Sequence, residues 1–167
     1  VMLELNETPV RTANNFRINN IEVDTKIPTI IREFENVQIT KSNCIISENV
    51  SKDELVYGNN KELEDAVLDK ANSKIKIENN ENVENVKITY IFDEDNLMLL
   101  NQIEIDASKD INVIIEYRSE TDEECFHAGI IKTIAKAGAK INVTVLNLLN
   151  DNSENIESFE NVIEKES

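Results

Sequence analysis

From residue 74 onward, apolar and polar positions alternate with a period of two, the spacing of a strand. KIKIENNENVENVKITYIF, NLMLLNQIEI, INVIIEY, GIIKTI and AKINVTVLNLL are β-branched runs separated by Asn, Asp, Ser, Lys or Gly. Two of them write Ile-Asn-Val, at 111–113 and at 141–143. An offset of 30, as between Ile111 and Ile141, also sets Ala107 on Ala137 and Ile115 on Val145. Ile111, Val113 and Ile115 point to one face of a strand, as do Ile141, Val143 and Val145. Stacking one unit on the other therefore buries a continuous apolar wall, the logic of a solenoid. The pattern predicts successive coils of a β-solenoid. The competing reading is an antiparallel sandwich in which two strands share a triplet by chance, since two units fall short of the three that stable repeats usually need.

The first 73 residues read differently. Residues 1–26, with Asn pairs at 14–15 and 19–20, predict an extended lead-in that adds little to a core. PTII, VQIT and CII, between 28 and 46, are short and β-branched and favour strands, with Cys44 entering a core. Ser51 and Glu54 have capping-box spacing, and Gly58-Asn59-Asn60 interrupts the pattern before a second start. In KELEDAVLDKAN, Leu63, Ala66, Val67 and Ala71 form one helical stripe, with Lys61, Glu64, Asp65 and Asp69 facing away. The organisation expected is a lead-in and helical segment over 1–73, followed by coils over 74–167.

A chain of 167 residues with 40% hydrophobic residues can bury one sizeable core. Its 33 acidic and 17 basic residues give a net charge of −16, which repels a phosphate backbone and an anionic membrane. No segment approaches the roughly 20 apolar residues of a membrane span, and the first residues lack a basic region followed by an apolar run. A cytoplasmic protein is expected, with no nucleic-acid or membrane partner and with Cys44 and Cys125 reduced.

Candidate chemistry is sparse. His127 is the one histidine and follows Cys125-Phe126, so a Cys–His pair sharing a strand face is conceivable, without an orienting group or an oxyanion donor to complete it. A structural histidine and a passive thiol are the simpler reading of Cys125 and His127. One His and two distant Cys are too few for a structural zinc or an iron–sulfur cluster. The acidic runs DEDN, TDEEC and NDNSEN lack EF-hand spacing, and AKAGAK lacks the second glycine and the Lys-Ser/Thr of a phosphate loop. No catalytic residue and no metal ligand is assigned.

The order of segments carries a resemblance. TPVRT with FRINNIEV, then YGNNKELEDAVLDKANSKIKI, VKITYIFDEDN, INVIIEY, FHAGIIKTIAKAGAKINVTVLNL and the closing FENVIEKES resemble the SufB/SufD family of iron–sulfur cluster assembly proteins. The resemblance spans most of the chain and rests most on a Phe-His leading into a strand, a small-residue turn, a second strand and an Asn. It implies a right-handed parallel β-helix preceded by a small helical segment. It further implies a scaffold acting with a SufB-like paralogue and a SufC-like ABC ATPase, on which the full complex builds clusters.

Family members run to well over twice this length, so the resemblance makes this chain an N-terminal portion, with the ATPase-docking helices and cluster-linked residues beyond 167. SufB-like members carry Glu-Gly-Cys after the strand preceding the His motif, where this chain has Glu116-Tyr117-Arg118. A SufD-like, non-catalytic member that binds no cofactor in this segment is therefore expected, with self-association through an open coil end. Two other classes stay open: a generic β-solenoid interaction domain, and a β-helix enzyme acting on polysaccharides.

Overall fold

The computed structural model describes residues 2–5, 21–24, 27, 31–51 and 60–165. In chain order the strands are β1 (Met2–Leu5), β2 (Ile21–Asp24), β3 (Val37–Ile39) and β4 (Ile45–Ser47). The helix α1 (Lys61–Lys70) follows, and then β5 (Ser73–Asn79), β6 (Glu84–Phe92), β7 (Met98–Ala107), β8 (Ile111–Ser119), β9 (Phe126–Ala135), β10 (Ile141–Leu148) and β11 (Glu154–Ile163). From β5 the chain alternates between two sheets, ordered β10-β8-β6-β3 and β11-β9-β7-β5-β4. Pairing within each sheet is parallel from β5 to β11, so the fold is a parallel β-solenoid of three stacked coils plus a final strand.

The Ile-Asn-Val offset is a structural register: Ile111, Asn112, Val113 and Ile115 pair with Ile141, Asn142, Val143 and Val145. Ile111, Val113 and Ile115 are buried, while the residues stacked on them pack against the same core from a half-buried position, because no strand covers the far side of β10 among the described residues. The offset fails outside the strand. Ala107 pairs with Ala135 and not with Ala137, because the companion sheet repeats every 28 residues, as from Ile103 to Ile131. The turn at 136–140 absorbs the difference, and Gly138 takes the left-handed φ of 81° that this turn requires.

At the other end, β3 and β4 lie antiparallel on β6 and β5 and close the stack. Phe34 is buried there, edge-on to Tyr90 and Phe92. Cys44 does not lie in a strand; it sits half-buried in a bend before β4, because the short β4 lies at the sheet edge.

Helix α1 starts where Asn60 caps it, its Oδ1 accepting from the amide of Leu63. Ala71 falls outside the helix as its C-terminal cap. Leu63 and Val67 pack with Leu100, Ala128 and Ile130 on the outer face of the β7–β9 sheet, and Gln102 donates to the carbonyls of Val67 and Leu68. The lead-in does contribute to a core: β1 pairs with β2, and Leu3 is buried in this same outer cluster. The remainder of that segment, and Glu54 of the Ser51–Glu54 capping box, fall outside the described residues, while Ser51 itself bonds Glu104.

Candidate functional site: a polar cluster enclosed between the sheets

Most inward positions are aliphatic, and the largest group of exceptions gathers at one level of the stack, apart from the bonded pair Thr133 and Asn161 further along the strands. Register places Ser73, Asn101, Gly129 and Glu157 in one inward column, with Leu99, His127 and Asn155 in the next. Tyr90 and Tyr117 face them from the opposite sheet as a stacked pair with ring centroids 5.4 Å apart. The Tyr117 ring also lies against the imidazole of His127, centroid to centroid 3.9 Å.

These side chains bond to one another. Nε2 of His127 lies 3.0 Å from Oδ1 of Asn101, and its Nδ1 contacts Oδ1 of Asn155. Nδ2 of Asn101 donates to the Tyr117 hydroxyl at 3.1 Å, which donates to Oε1 of Glu157 at 3.2 Å. The hydroxyls of Tyr90 and Ser73 are 3.2 Å apart. Four strands of successive coils, β7, β8, β9 and β11, are thus joined through one chain of polar contacts.

Gly129 makes the convergence possible. A Cβ at that position would come within 3 Å of Asn101 Oδ1, Glu157 Oε1 and His127 Nε2. Glu157 is half-buried as a residue because β11 is an outer strand, but its carboxyl turns inward, and Oε2 is buried without a hydrogen-bond partner.

Burial dominates the electrostatics. It pushes Glu157 up to about 8, only partly opposed by the Tyr117 hydroxyl, and pushes His127 down to about 4 against the bond to Asn155. Burial likewise raises Tyr90 to about 12 and Tyr117 well above the ordinary phenol range. At neutral pH the cluster is held as neutral dipoles.

Outside, a second polar file crosses the same coils. Lys76, Glu104, Lys132 and Glu160 are successive register partners of alternating sign. Glu104 bonds Lys76 at 3.2 Å and accepts from the amide and hydroxyl of Ser51, while Lys132 donates to that hydroxyl at 3.1 Å. Burial opposes ionisation of Glu104, but the Ser51 bonds and Lys76 outweigh it and hold the carboxyl below its ordinary value.

Of the two candidates named from sequence, His127 lies at the centre of the enclosed cluster and Cys125 does not join it. Cys125 is buried and faces the same interior, with Sγ 3.5 Å from the Glu123 carbonyl oxygen and 3.8 Å from Ser119 Oγ. Both ring nitrogens of His127 are occupied by asparagines, so the structure does not assemble a Cys–His pair. Among the described residues no group of three or more His, Cys, Asp or Glu is placed to hold a metal ion. An open groove of about 700 Å³ lies at the β3–β5 end, bordered by Ile31, Phe34, Ile46 and Ile75.

Asn101, Tyr117, Asn155 and Glu157 were not singled out from sequence. The available signal was an interruption: Asn101, Gly129 and Glu157 break apolar inward files at intervals of 28.

Comparison with protein-family models, with curated proteins and with solved structures returns no match for the chain. The class is defined by the fold itself: a parallel β-solenoid with a hydrogen-bonded polar cluster in its interior. No helix among the described residues is long and apolar enough to cross a membrane.

Proposed function

We propose that the chain is a non-catalytic, SufD-like scaffold segment of an iron–sulfur cluster assembly complex, pairing with a SufB-like paralogue beside a SufC-like ATPase. The reading rests on the resemblance, and one observation supports it. The unit that carries most of that resemblance, Phe126 to Leu148, is a single coil that runs from β9 through the Gly138 turn to β10. The strands β10 and β11 each leave one edge without a partner strand among the described residues, bordered by exposed Leu148, Phe159 and Ile163. Backbone donors and acceptors along such an edge are a template for another solenoid.

The test is mixing with a purified SufB-like subunit, followed by light scattering on a sizing column. A heteromer that is lost when Val145, on β10, is replaced by proline is expected. Binding to unrelated β-solenoids with equal affinity would favour a generic interaction domain, and absence of any complex at about 100 µM would sink the reading. Anaerobic incubation with iron and sulfide supplies a further check. A stoichiometric cluster absorbance lost on Cys125→Ser, but not on Cys44→Ser, would make this segment a cluster site instead of a scaffold.

A further inference from the structure

Strand β11 is fastened to the stack by a group whose charge state decides whether it fits. Glu157 enters the interior from β11, with Oε1 in the space left by Gly129 and held by one hydrogen bond from Tyr117. Its Oε2 is buried with no partner. The groups facing it are His127 from β9, Tyr117 from β8 and, further off, Tyr90 from β6; β7 presents Asn101, and β10 presents Val143, Val145 and Asn147. Glu154 and Glu160 on its own strand turn to the other face, where Lys132 of β9 is the register partner of Glu160. Helix α1 packs on that outer face as well. Among the described residues no cation reaches the carboxyl.

We propose that β11 is held on β9 by a pH-operated latch, docked when Glu157 is neutral and loosened when Glu157 ionises. This concerns the chain's own docking and holds whether or not β11 serves assembly with another subunit.

The pH window follows from the two titrating neighbours. Glu157 is held at about 8 when docked, against an ordinary 4.5 in water, so undocking releases a proton from it anywhere between those values. His127 is held at about 4 when docked, against 6.5, so undocking takes up a proton between 4 and 6.5. From 4.5 to 6.5 the release and the uptake cancel, and docking is independent of pH. Above 6.5 only Glu157 contributes, so docking weakens up to tenfold per pH unit until about 8 and then levels. The total loosening is about 30-fold. Below 4.5 only His127 contributes, and docking weakens as pH falls.

Hydrogen exchange of the full chain, expressed as protection factors at pH 5 to 9, reads this directly. Protection of the β11 amides is expected to be flat to 6.5, to fall about 30-fold by 8 and then to level, while β5 to β8 stay constant. In Glu157→Gln the fall above 6.5 should vanish, and a rise from 5 to 6.5 from His127 should become visible. Unchanged β11 protection from 6.5 to 8, the wild-type fall persisting in Glu157→Gln, or parallel loss in all strands would overturn the proposal. If the variant does not fold, carbon-13 NMR of the wild-type Glu157 carboxyl decides: a midpoint near 8 supports the latch, and one near 4.5 overturns it.

Discussion

Asn142 donates its side-chain amide to Oδ1 of Asn112 across 2.8 Å, and the two residues are register partners on adjacent strands. Asn112 in turn donates to Asn85 at 2.9 Å, one coil further down. The repeated Ile-Asn-Val therefore encodes two things at once: its outer positions supply the inward aliphatic wall, and its middle position supplies an amide ladder on the outer face. Because Asn112 makes both ladder bonds, Asn112→Ala should cost about 1–2 kcal/mol and Asn142→Ala about half of that. Urea denaturation at equal ionic strength measures both; equal costs would show that the ladder contributes nothing beyond the separate side chains.

Gly129 is required by its neighbours. Gly129→Ala should destabilise the chain by about 1–3 kcal/mol, because the added methyl meets three polar atoms held in a hydrogen-bonded cluster. In a Glu157→Ala background one of those atoms is gone, so the same substitution should cost less. A double-mutant cycle with no coupling between the two sites would show that Glu157 does not occupy that space.

Burial depth distinguishes equivalent positions in successive coils. Val113 is buried to 1% exposure, whereas its register partner Val143 is half-buried. Val113→Asp should cost several kcal/mol, or prevent folding, since an unpaired carboxylate there has no partner and no water. Val143→Asp should cost distinctly less, because the uncovered side of β10 lets the carboxylate reach solvent. Thermal melts of the two variants rank them, and the reverse order would place the open end of the stack elsewhere.

These comparisons also mark what the sequence made legible. Alternation identified strands, and the offset from Ile111 to Ile141 identified their stacking, because a period of two and a fixed coil length both leave linear traces. The offset could not reveal that the companion sheet repeats every 28 residues, because the turn at 136–140 absorbs the difference. Nor could it reveal the antiparallel cap, since β3 and β4 are three-residue strands whose partners lie some 50 or 30 positions away, at Tyr90 and Glu78. The polar cluster was illegible for a related reason. Asn101, Tyr117, His127, Asn155 and Glu157 come from four strands on two sheets, and each alone reads as a single polar residue on a strand. Only the register sets them against one another, with Gly129 clearing the space.

The last prediction concerns the open end. Phe159 is an inward-facing residue by register with Ile131, yet it is 49% exposed, and Ile163 at the end of the same strand is 79% exposed. Leu146 and Leu148 on β10 are exposed beside a backbone edge that has no partner strand among the described residues. An uncovered edge with apolar neighbours invites strand pairing with a second copy, against which the net charge of −16 acts as a repulsion that salt screens. The 167-residue polypeptide should therefore self-associate at high micromolar concentration, and more strongly at 0.5 M than at 0.05 M sodium chloride. Phe159→Lys, which adds a charge at the interior rim of that edge, should keep it monomeric. Sedimentation velocity over a concentration series provides the measurement. A monomer at every concentration and salt would mean that the edge is not offered for pairing, and association unaffected by Phe159→Lys would place the contact on another face.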